Sequence, residues 1–248
     1  MVYKTHIIVI FLLSNIIFSQ NDIALVNYKI IKIDDNSSGI NKYESINDSK
    51  ILKKVKEITS SLDDVECQLF FDNKTSLFKT KEKLELNDDF NYKMAKVLAG
   101  GIRYKNLNTK EKIERRNSLG MTVNIFYSFD EYKWTITNET KKIGEYICRK
   151  AISTKTDIDT VKNEEKVFNV EAWFTNEIPV PFGPAGLDGL PGLVLEASPN
   201  GKIVFYVDKI IFNYSSDKKL LCRPKGGTNF SEKEYLTLLQ KKFLEFKK

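Results

Sequence analysis

The chain has 248 residues, of which 42% are hydrophobic, and a formal net charge of +6, which is typical of a folded globular protein rather than a disordered one. Its lysines are scattered and no nucleic-acid-binding module is recognisable, so we expect no nucleic-acid partner. The one histidine is His6, so the rest of the chain lacks the imidazole of Ser-His-Asp triads, Cys-His nucleophiles and most zinc sites.

Residues 1–19 have the pattern of a secretory signal peptide. Lys4 supplies the positive charge, and the apolar run that follows is shorter than the about 20 residues of a membrane span. Cleavage after Ser19 would leave a single domain at 20–248, with no cysteine at its start to accept a lipid. We therefore expect export to the periplasm or the extracellular space, without a lipid anchor and without a transmembrane span after cleavage.

The first elements after this segment alternate between sheet and helix patterns. Residues 23–33 form a strand-like run, and the polar residues 34–48 predict a loop. Apolar side chains at helical spacing in 51–62 predict an amphipathic helix that lies on a sheet. Residues 65–71 and 75–79 flank a turn and predict a hairpin. Residues 81–118 are polar, show no clear period and predict no element.

From Met121 onward, apolar and polar residues alternate with period two, which predicts a succession of strands. The runs are 123–129, 134–136, 144–153, 168–174, 193–197 and 202–212. Three cysteines, Cys67, Cys148 and Cys222, would permit one disulfide in an oxidising compartment, and their spacing does not identify the pair.

The chain closes with a predicted helix. Ser231 and Glu234 form a capping box, and Phe230 can pack on Tyr235 as a hydrophobic staple. We interpret this helix as a lid on the sheet; a membrane-surface helix is the alternative, because lysines flank its apolar stripe. The predicted fold class is a β-rich α+β single domain, in which one large curved antiparallel sheet is covered by an amphipathic helix near the N-terminus and a C-terminal helix.

A run rich in glycine and proline, residues 177–195, differs from the rest of the chain, and we call it the Gly/Pro loop. Glycine permits φ > 0 and close backbone approach and proline fixes φ, so this composition encodes backbone shape more than side-chain chemistry. Two interpretations stay open: the loop docks on its own domain, or it contacts a partner or ligand. Leu190 and Leu193 would accordingly fill the core or form an apolar tip.

Short motifs in this region resemble a known family. The loop contains the hexapeptide Gly189-Leu190-Pro191-Gly192-Leu193-Val194, and upstream lie Lys150-Ala151, Ala172-Trp173-Phe174-Thr175, Glu177-Ile178-Pro179-Val180 and Gly183-Pro184. With these motifs, residues 120–215 resemble the GLPGLI family of exported proteins, typical of Bacteroidetes; Val194 replaces the isoleucine of the naming motif. The resemblance implies an exported β-rich domain and no particular reaction. The residues of its motif loop are Gly183, Pro184, Gly189, Leu190, Pro191, Gly192 and Leu193.

Our first functional hypothesis is a non-catalytic envelope protein that binds an apolar ligand, a lipid or an outer-membrane protein. It has no predicted catalytic residue, metal or cofactor, and the sequence does not indicate its oligomeric state. The alternatives are a carboxylate-dependent hydrolase and a purely structural or assembly component. The hydrolase would need two of the carboxylates Asp188, Glu171, Glu177 and Glu196 to face one cleft.

Overall fold

The protein is described by a computed structural model over residues 22–33, 49–84, 89–159 and 164–246. The predicted signal peptide and the predicted loop at 34–48 lie outside these residues, so both stay predictions. The strands are β1 (Ile23–Lys32), β2 (Glu66–Phe71), β3 (Thr75–Thr80), β4 (Ile102–Asn106), β5 (Glu111–Ser118), β6 (Met121–Phe126), β7 (Thr135–Ile143), β8 (Tyr146–Asp159), β9 (Glu164–Thr175), β10 (Leu193–Ser198), β11 (Ile203–Ser215) and β12 (Thr228–Ser231). The helices are α1 (Ser49–Ser60), α2 (Phe90–Leu98) and α3 (Glu232–Phe246).

All twelve strands of the described residues join one open, curved sheet in the order β12-β6-β5-β4-β3-β2-β1-β11-β10-β9-β8-β7. The predicted β-rich α+β class is therefore confirmed. One detail differs, because β12 pairs with β6 in parallel whereas the other neighbours are antiparallel. The chain leaves β11 in the middle of the sheet and crosses to the β6 edge, and such a crossover permits parallel pairing.

The first four residues of strand β1, Ile23 to Val26, are continuously apolar because both faces of the sheet are covered there. Val26 and Tyr28 belong to the main core on the inner face of the sheet, and both are fully buried. Ile23 and Leu25 face the other way and pack with Leu221, which lies in a short 3-10 turn after β11. A strand buried on both faces has a continuous hydrophobic run rather than an alternating one.

Two helical segments cover one end of the inner face. The predicted helix α1 is confirmed and continues into a short 3-10 turn whose Leu62 reaches the core. Helix α2, in the segment for which we predicted no element, packs beside it and buries Tyr92 and Ala95. Asp89 caps α2, because its side chain accepts a hydrogen bond of 2.7 Å from the Tyr92 amide.

Helix α3 begins as the capping box predicted. The Ser231 amide donates to the Glu234 carboxylate at 2.7 Å, the Glu234 amide donates to Ser231 Oγ at 3.3 Å, and the Phe230 and Tyr235 rings lie 6.3 Å apart. Tyr235 is buried against Val123 and Ile125 of β6. The helix is therefore a lid on this end of the sheet.

The cysteines do not form the disulfide that the sequence permitted. Cys67 and Cys148 are buried on separate strands, Cys222 is exposed, and all three are free thiols. Burial raises the pKa of Cys67 to about 12 and that of Cys148 to about 11, so both stay protonated and inert at neutral pH.

Candidate functional site

The Gly/Pro loop folds back onto the inner face of the sheet between β9 and β10. Backbone hydrogen bonds join the Leu193 amide to the Ile178 carbonyl at 2.9 Å and the Val194 amide to the Phe182 carbonyl at 3.0 Å. Leu190 and Leu193 are at most 1% exposed, so they fill the core and form no apolar tip. Of the other candidate residues, Gly183, Pro184 and Gly192 are buried, whereas Gly189 and Pro191 are exposed.

Two of the loop glycines leave no room for a side chain. A Cβ on Gly183 would lie 2.0 Å from the Leu187 carbonyl oxygen, and one on Gly192 would lie 2.1 Å from the Thr175 carbonyl oxygen. Both neighbours are backbone atoms, which cannot rotate away as a flexible side chain would. The close approach of two chain segments therefore requires glycine at these positions.

The loop rests on a buried ion pair network that the sequence did not predict. Asp188 Oδ1 accepts from Lys105 Nζ of β4 at 2.5 Å and from Lys112 Nζ of β5 at 3.2 Å. Lys112 also donates to the Gly186 carbonyl at 2.8 Å, and the Trp134 indole donates to the Asp188 carbonyl at 2.9 Å. These bonds fix the loop against two neighbouring strands.

One further carboxylate, Glu131, continues this network, and another, Glu114, forms separate ion pairs on the neighbouring strands. Glu131, in the segment between β6 and β7, pairs with Lys112 at 2.8 Å and with Lys155 of β8 at 2.6 Å. Glu114 of β5 is fully buried and pairs with Arg103 at 2.7 Å and with Arg116. We call this set the ionic cluster. Its charged members are Arg103, Lys105, Lys112, Glu114, Arg116, Glu131, Lys155 and Asp188.

Glu131 titrates far from its ordinary range. Burial alone would raise its pKa, but the positive charges of Lys112, Lys155 and Arg103 outweigh burial and lower the pKa from 4.5 to about 2. Burial also raises the pKa values of Tyr127 and Tyr132 beside the cluster, so both phenols are neutral at physiological pH. Glu131 is thus ionised at neutral pH and lies beside neutral tyrosines.

We expect the protein to lose stability in acid because of Glu131. Its folded-state pKa of about 2 lies below the unfolded value of 4.5, so its contribution is complete above pH 4.5 and is lost as pH falls toward 2. The difference corresponds to about 3 kcal/mol. Urea unfolding at a series of pH values from 7 to 2 measures this loss of stability. Glu131→Gln should be less stable at pH 7, and its free energy of unfolding should depend less on pH. The same pH dependence of stability in both proteins would contradict the role of Glu131.

The four carboxylates of the hydrolase alternative have separate partners. Glu171 pairs with Lys150 at 3.3 Å, Glu196 pairs with Lys141 at 2.6 Å, and Glu177 accepts from the Ile147 amide at 2.9 Å. Asp188 contacts the lysines of the ionic cluster, and no two of the four share a hydrogen-bond or ion-pair partner within the described part of the chain. In the same ranges, no group of three or more His, Cys, Asp or Glu side chains could hold a metal ion.

Helix α2 presents a second apolar face to solvent. Phe90, Val97 and Leu98 are 57%, 41% and 55% exposed, although each is large and hydrophobic. Phe90 and Val97 lie on the side of the helix away from the buried Tyr92 and Ala95, and Leu98 lies on the flank between the two sides. We call Phe90, Val97 and Leu98 the α2 surface. None of the helices described is long and apolar enough to cross a membrane.

Lysines border the α2 surface. Lys54 of α1 places its ammonium 4.9 Å from the centre of the Phe90 ring. Lys93 and Lys96 belong to α2 itself, and Lys93 is exposed. The surface therefore combines exposed apolar side chains with lysines, of which Lys54 pairs with Glu57 at 3.5 Å and Lys96 pairs with Glu82 at 2.6 Å.

Comparison with known proteins covers both the loop and the fold. Residues 155–196, from β8 through the Gly/Pro loop into β10, match a family described as "Protein of unknown function (Porph_ging)". No curated protein matches the sequence.

Two solved structures of a protein designated PNGF-II, in space groups C2 and P21, are similar to this chain. Their TM-scores are 0.54 and 0.53, with 17% and 18% sequence identity over 89% of this chain. The chain covers 33% and 34% of the PNGF-II chains, which is about a third of their length. At this identity, the likeness shows a shared fold alone.

Proposed function

We propose that this chain is an exported, non-catalytic envelope protein of the GLPGLI type that binds an anionic lipid surface through the α2 surface. The GLPGLI assignment is supported by the motif residues of the Gly/Pro loop, which lie inside the segment that matches a family of unknown function. The lipid assignment is carried by one observation: exposed Phe90, Val97 and Leu98 lie on a helix bordered by lysines.

The chemistry of the α2 surface suits the boundary between headgroups and acyl chains. An interfacial helix buries its apolar side chains a few ångströms below the headgroups, and lysines at its border are attracted to anionic lipid. The three side chains are about half exposed already, so each can contribute on the order of 1 kcal/mol. Each nearby lysine contributes at most about 1 kcal/mol, because Lys54 and Lys96 also pair with carboxylates. The sum predicts weak, reversible binding rather than permanent anchoring.

The inner face of the sheet supports surface binding over an enclosed apolar ligand. Leu190, Leu193 and Phe182 of the Gly/Pro loop occupy its apolar part and are fully buried. The ionic cluster occupies the part beside it, on β4 and β5. A lipid in this interior would have to displace the loop and face charged side chains, whereas α2 is accessible without rearrangement.

Vesicle co-sedimentation tests the proposal. We expect the purified protein to bind phosphatidylglycerol vesicles, to bind phosphatidylcholine vesicles less, and to release at high salt. Phe90→Ser with Leu98→Ser should lower the partition coefficient about tenfold or more, because two of the three apolar side chains are lost. The matched control is Ile147→Ser with Val167→Ser, which removes two apolar side chains that are 65% exposed on β8 and β9. It should bind as the unaltered protein does.

Two results would overturn the lipid assignment. One is failure of the unaltered protein to bind either kind of vesicle. The other is equal loss of binding in both double variants, which would indicate general hydrophobicity instead of a specific surface. Capture of an envelope protein that requires Phe90 and Leu98, without vesicle binding, would identify the protein-partner alternative.

A further inference from the structure

The turn between β10 and β11 contains the one Asn-Gly pair of the chain, Asn200-Gly201. Gly201 and the next residue, Lys202, are exposed, and Asn200 is half-buried. Asn-Gly is favoured in short hairpin turns, and Gly201 has the positive φ, +72°, that such a turn requires. The pair also places a side-chain amide next to a backbone nitrogen whose own residue has no side chain to shield it.

Hydrogen bonds within the turn engage both groups of this pair. The Gly201 amide donates to Ser198 Oγ at 2.9 Å, and the Lys202 amide donates to Asn200 Oδ1 at 3.0 Å. The first bond polarises the Gly201 N–H, which must lose its proton when the nitrogen acts as a nucleophile. The second polarises the side-chain carbonyl and lies where negative charge would develop on Oδ1 during attack. The turn therefore holds a nucleophile, an electrophile and an oxyanion donor in three consecutive residues.

We propose that Asn200 is a site of spontaneous deamidation in the folded protein. The Gly201 nitrogen attacks Asn200 Cγ and forms an N–Cγ bond in a five-membered succinimide, an intramolecular closure favoured by proximity. The Cγ–Nδ2 bond breaks, and the leaving amide takes up the proton of the Gly201 nitrogen and departs as ammonia. Water then opens the ring at either carbonyl and yields aspartate or isoaspartate. This site is separate from the α2 surface and does not depend on the proposed lipid function.

The fold protects a second pair that could close the same ring, Asp188-Gly189, with loss of water. Asp188 Oδ1 accepts from the ammonium groups of Lys105 and Lys112 in a buried site. The Gly189 amide donates to the Pro181 carbonyl at 3.2 Å, so no hydroxyl assists it. A carboxylate paired with two ammonium groups is a poor electrophile. We therefore expect this pair to stay intact, and it serves as an internal control.

Isoaspartate in this turn would weaken the middle of the sheet. The isoaspartyl residue carries the main chain through its side chain, so it lengthens the backbone of the turn. Next to the turn, buried Ala197 of β10 pairs with buried Phe205 of β11. The Lys202 carbonyl accepts from the Ile33 amide, just after β1, at 2.8 Å. A longer turn disturbs both contacts, so the isoaspartyl form should unfold at a lower temperature than the unmodified protein.

Peptide mapping by mass spectrometry, after incubation of the full chain at mildly alkaline pH, tests the site. We expect an NH2 group to be replaced by OH in the peptide that contains Asn200, with release of an equal amount of ammonia. An isoaspartate methyltransferase should label this peptide and leave the Asp188-Gly189 peptide unlabelled. Asn200→Gln keeps the side-chain amide but would need a six-membered ring to react, so it should stay unmodified over the same time.

Two serine variants test the role of the folded turn. Ser198→Ala should slow the reaction, and Ser198→Thr, which keeps a hydroxyl oxygen, should restore the rate. In urea, where the turn is lost, these variants and the unaltered protein should react alike. Conversion of Asn200 in urea with none in the folded protein would overturn the proposal, because the turn would then protect the pair. Equal rates in folded Ser198→Ala and unaltered protein would overturn the assistance by the turn.

Discussion

Gly192→Ala should lower the free energy of unfolding by about 4 kcal/mol or more, the range of a disrupted core contact. The added Cβ would lie 2.1 Å from the Thr175 carbonyl oxygen and 2.7 Å from its carbonyl carbon. Thr175 is fully buried and pairs with Leu193 in the β9–β10 ladder, so it cannot withdraw without opening that ladder. The Gly/Pro loop would have to leave the core, taking Leu190 with it. Chemical denaturation measures the loss.

Two other glycines provide graded controls for this variant. Gly189 has φ +94°, but a Cβ there would find its nearest neighbour, Trp134 Nε1, at 3.9 Å. The Gly189→Ala variant should therefore lose only about 1–3 kcal/mol of folding stability, the cost of backbone strain for alanine at positive φ. Gly201, with φ +72° in the β10–β11 hairpin, faces open space. The free energy of unfolding of its alanine variant should fall by about 1 kcal/mol. An unfolding midpoint for Gly192→Ala equal to that of Gly201→Ala would show that the loop is not docked as described.

The parts of the fold that the sequence predicted are those with a local physical cause. In β6, Val123 and Ile125 point to a buried face and alternate with polar neighbours, which gives the period-two pattern. The start of α3 was predictable because Ser231 and Glu234 satisfy each other's backbone amides within one turn. Such signals need no knowledge of the rest of the chain.

Strands β4 and β5 were not predictable in this way because their inner-face positions are charged. Lys105 and Lys112 are buried next to one another, where a sheet normally has apolar side chains. Their partner Asp188 is 83 residues from Lys105 in the sequence. A local hydrophobic pattern cannot show that a charged residue is buried when the opposite charge that compensates it lies in a distant loop.

The Gly/Pro loop was partly predictable. Its composition indicated a specific backbone shape, and the structure places Gly183 and Gly192 at close backbone approaches. The composition did not indicate the surface beneath the loop, because the ionic cluster is contributed by strands earlier in the chain. The apolar face of α2 was not predicted, for another reason. The helix has only nine residues, too few turns for a clear helical period within the polar segment 81–118.

Asp188→Ala tests whether the ionic cluster holds the Gly/Pro loop in place. Removing the carboxylate leaves Lys105 and Lys112 buried without the anion that bridges them, and breaking a buried pair in this way costs about 3–5 kcal/mol. The same change in Asp208, whose pair with Lys29 is solvent-exposed, should cost no more than about 1 kcal/mol. Urea denaturation of the two variants compares a buried with an exposed ion pair.

The double variant Asp188→Leu with Lys105→Met then distinguishes lost charge pairing from lost packing. Replacing both charges by apolar groups of similar volume is often neutral or stabilising, so this variant should recover much of the stability that Asp188→Ala loses. Trp134 reports the loop directly, because its indole donates to the Asp188 carbonyl at 2.9 Å. Its fluorescence should shift toward that of an exposed tryptophan in Asp188→Ala and return in the double variant. Asp188→Ala with unaltered stability and unaltered Trp134 emission would show that the buried lysines do not hold the loop.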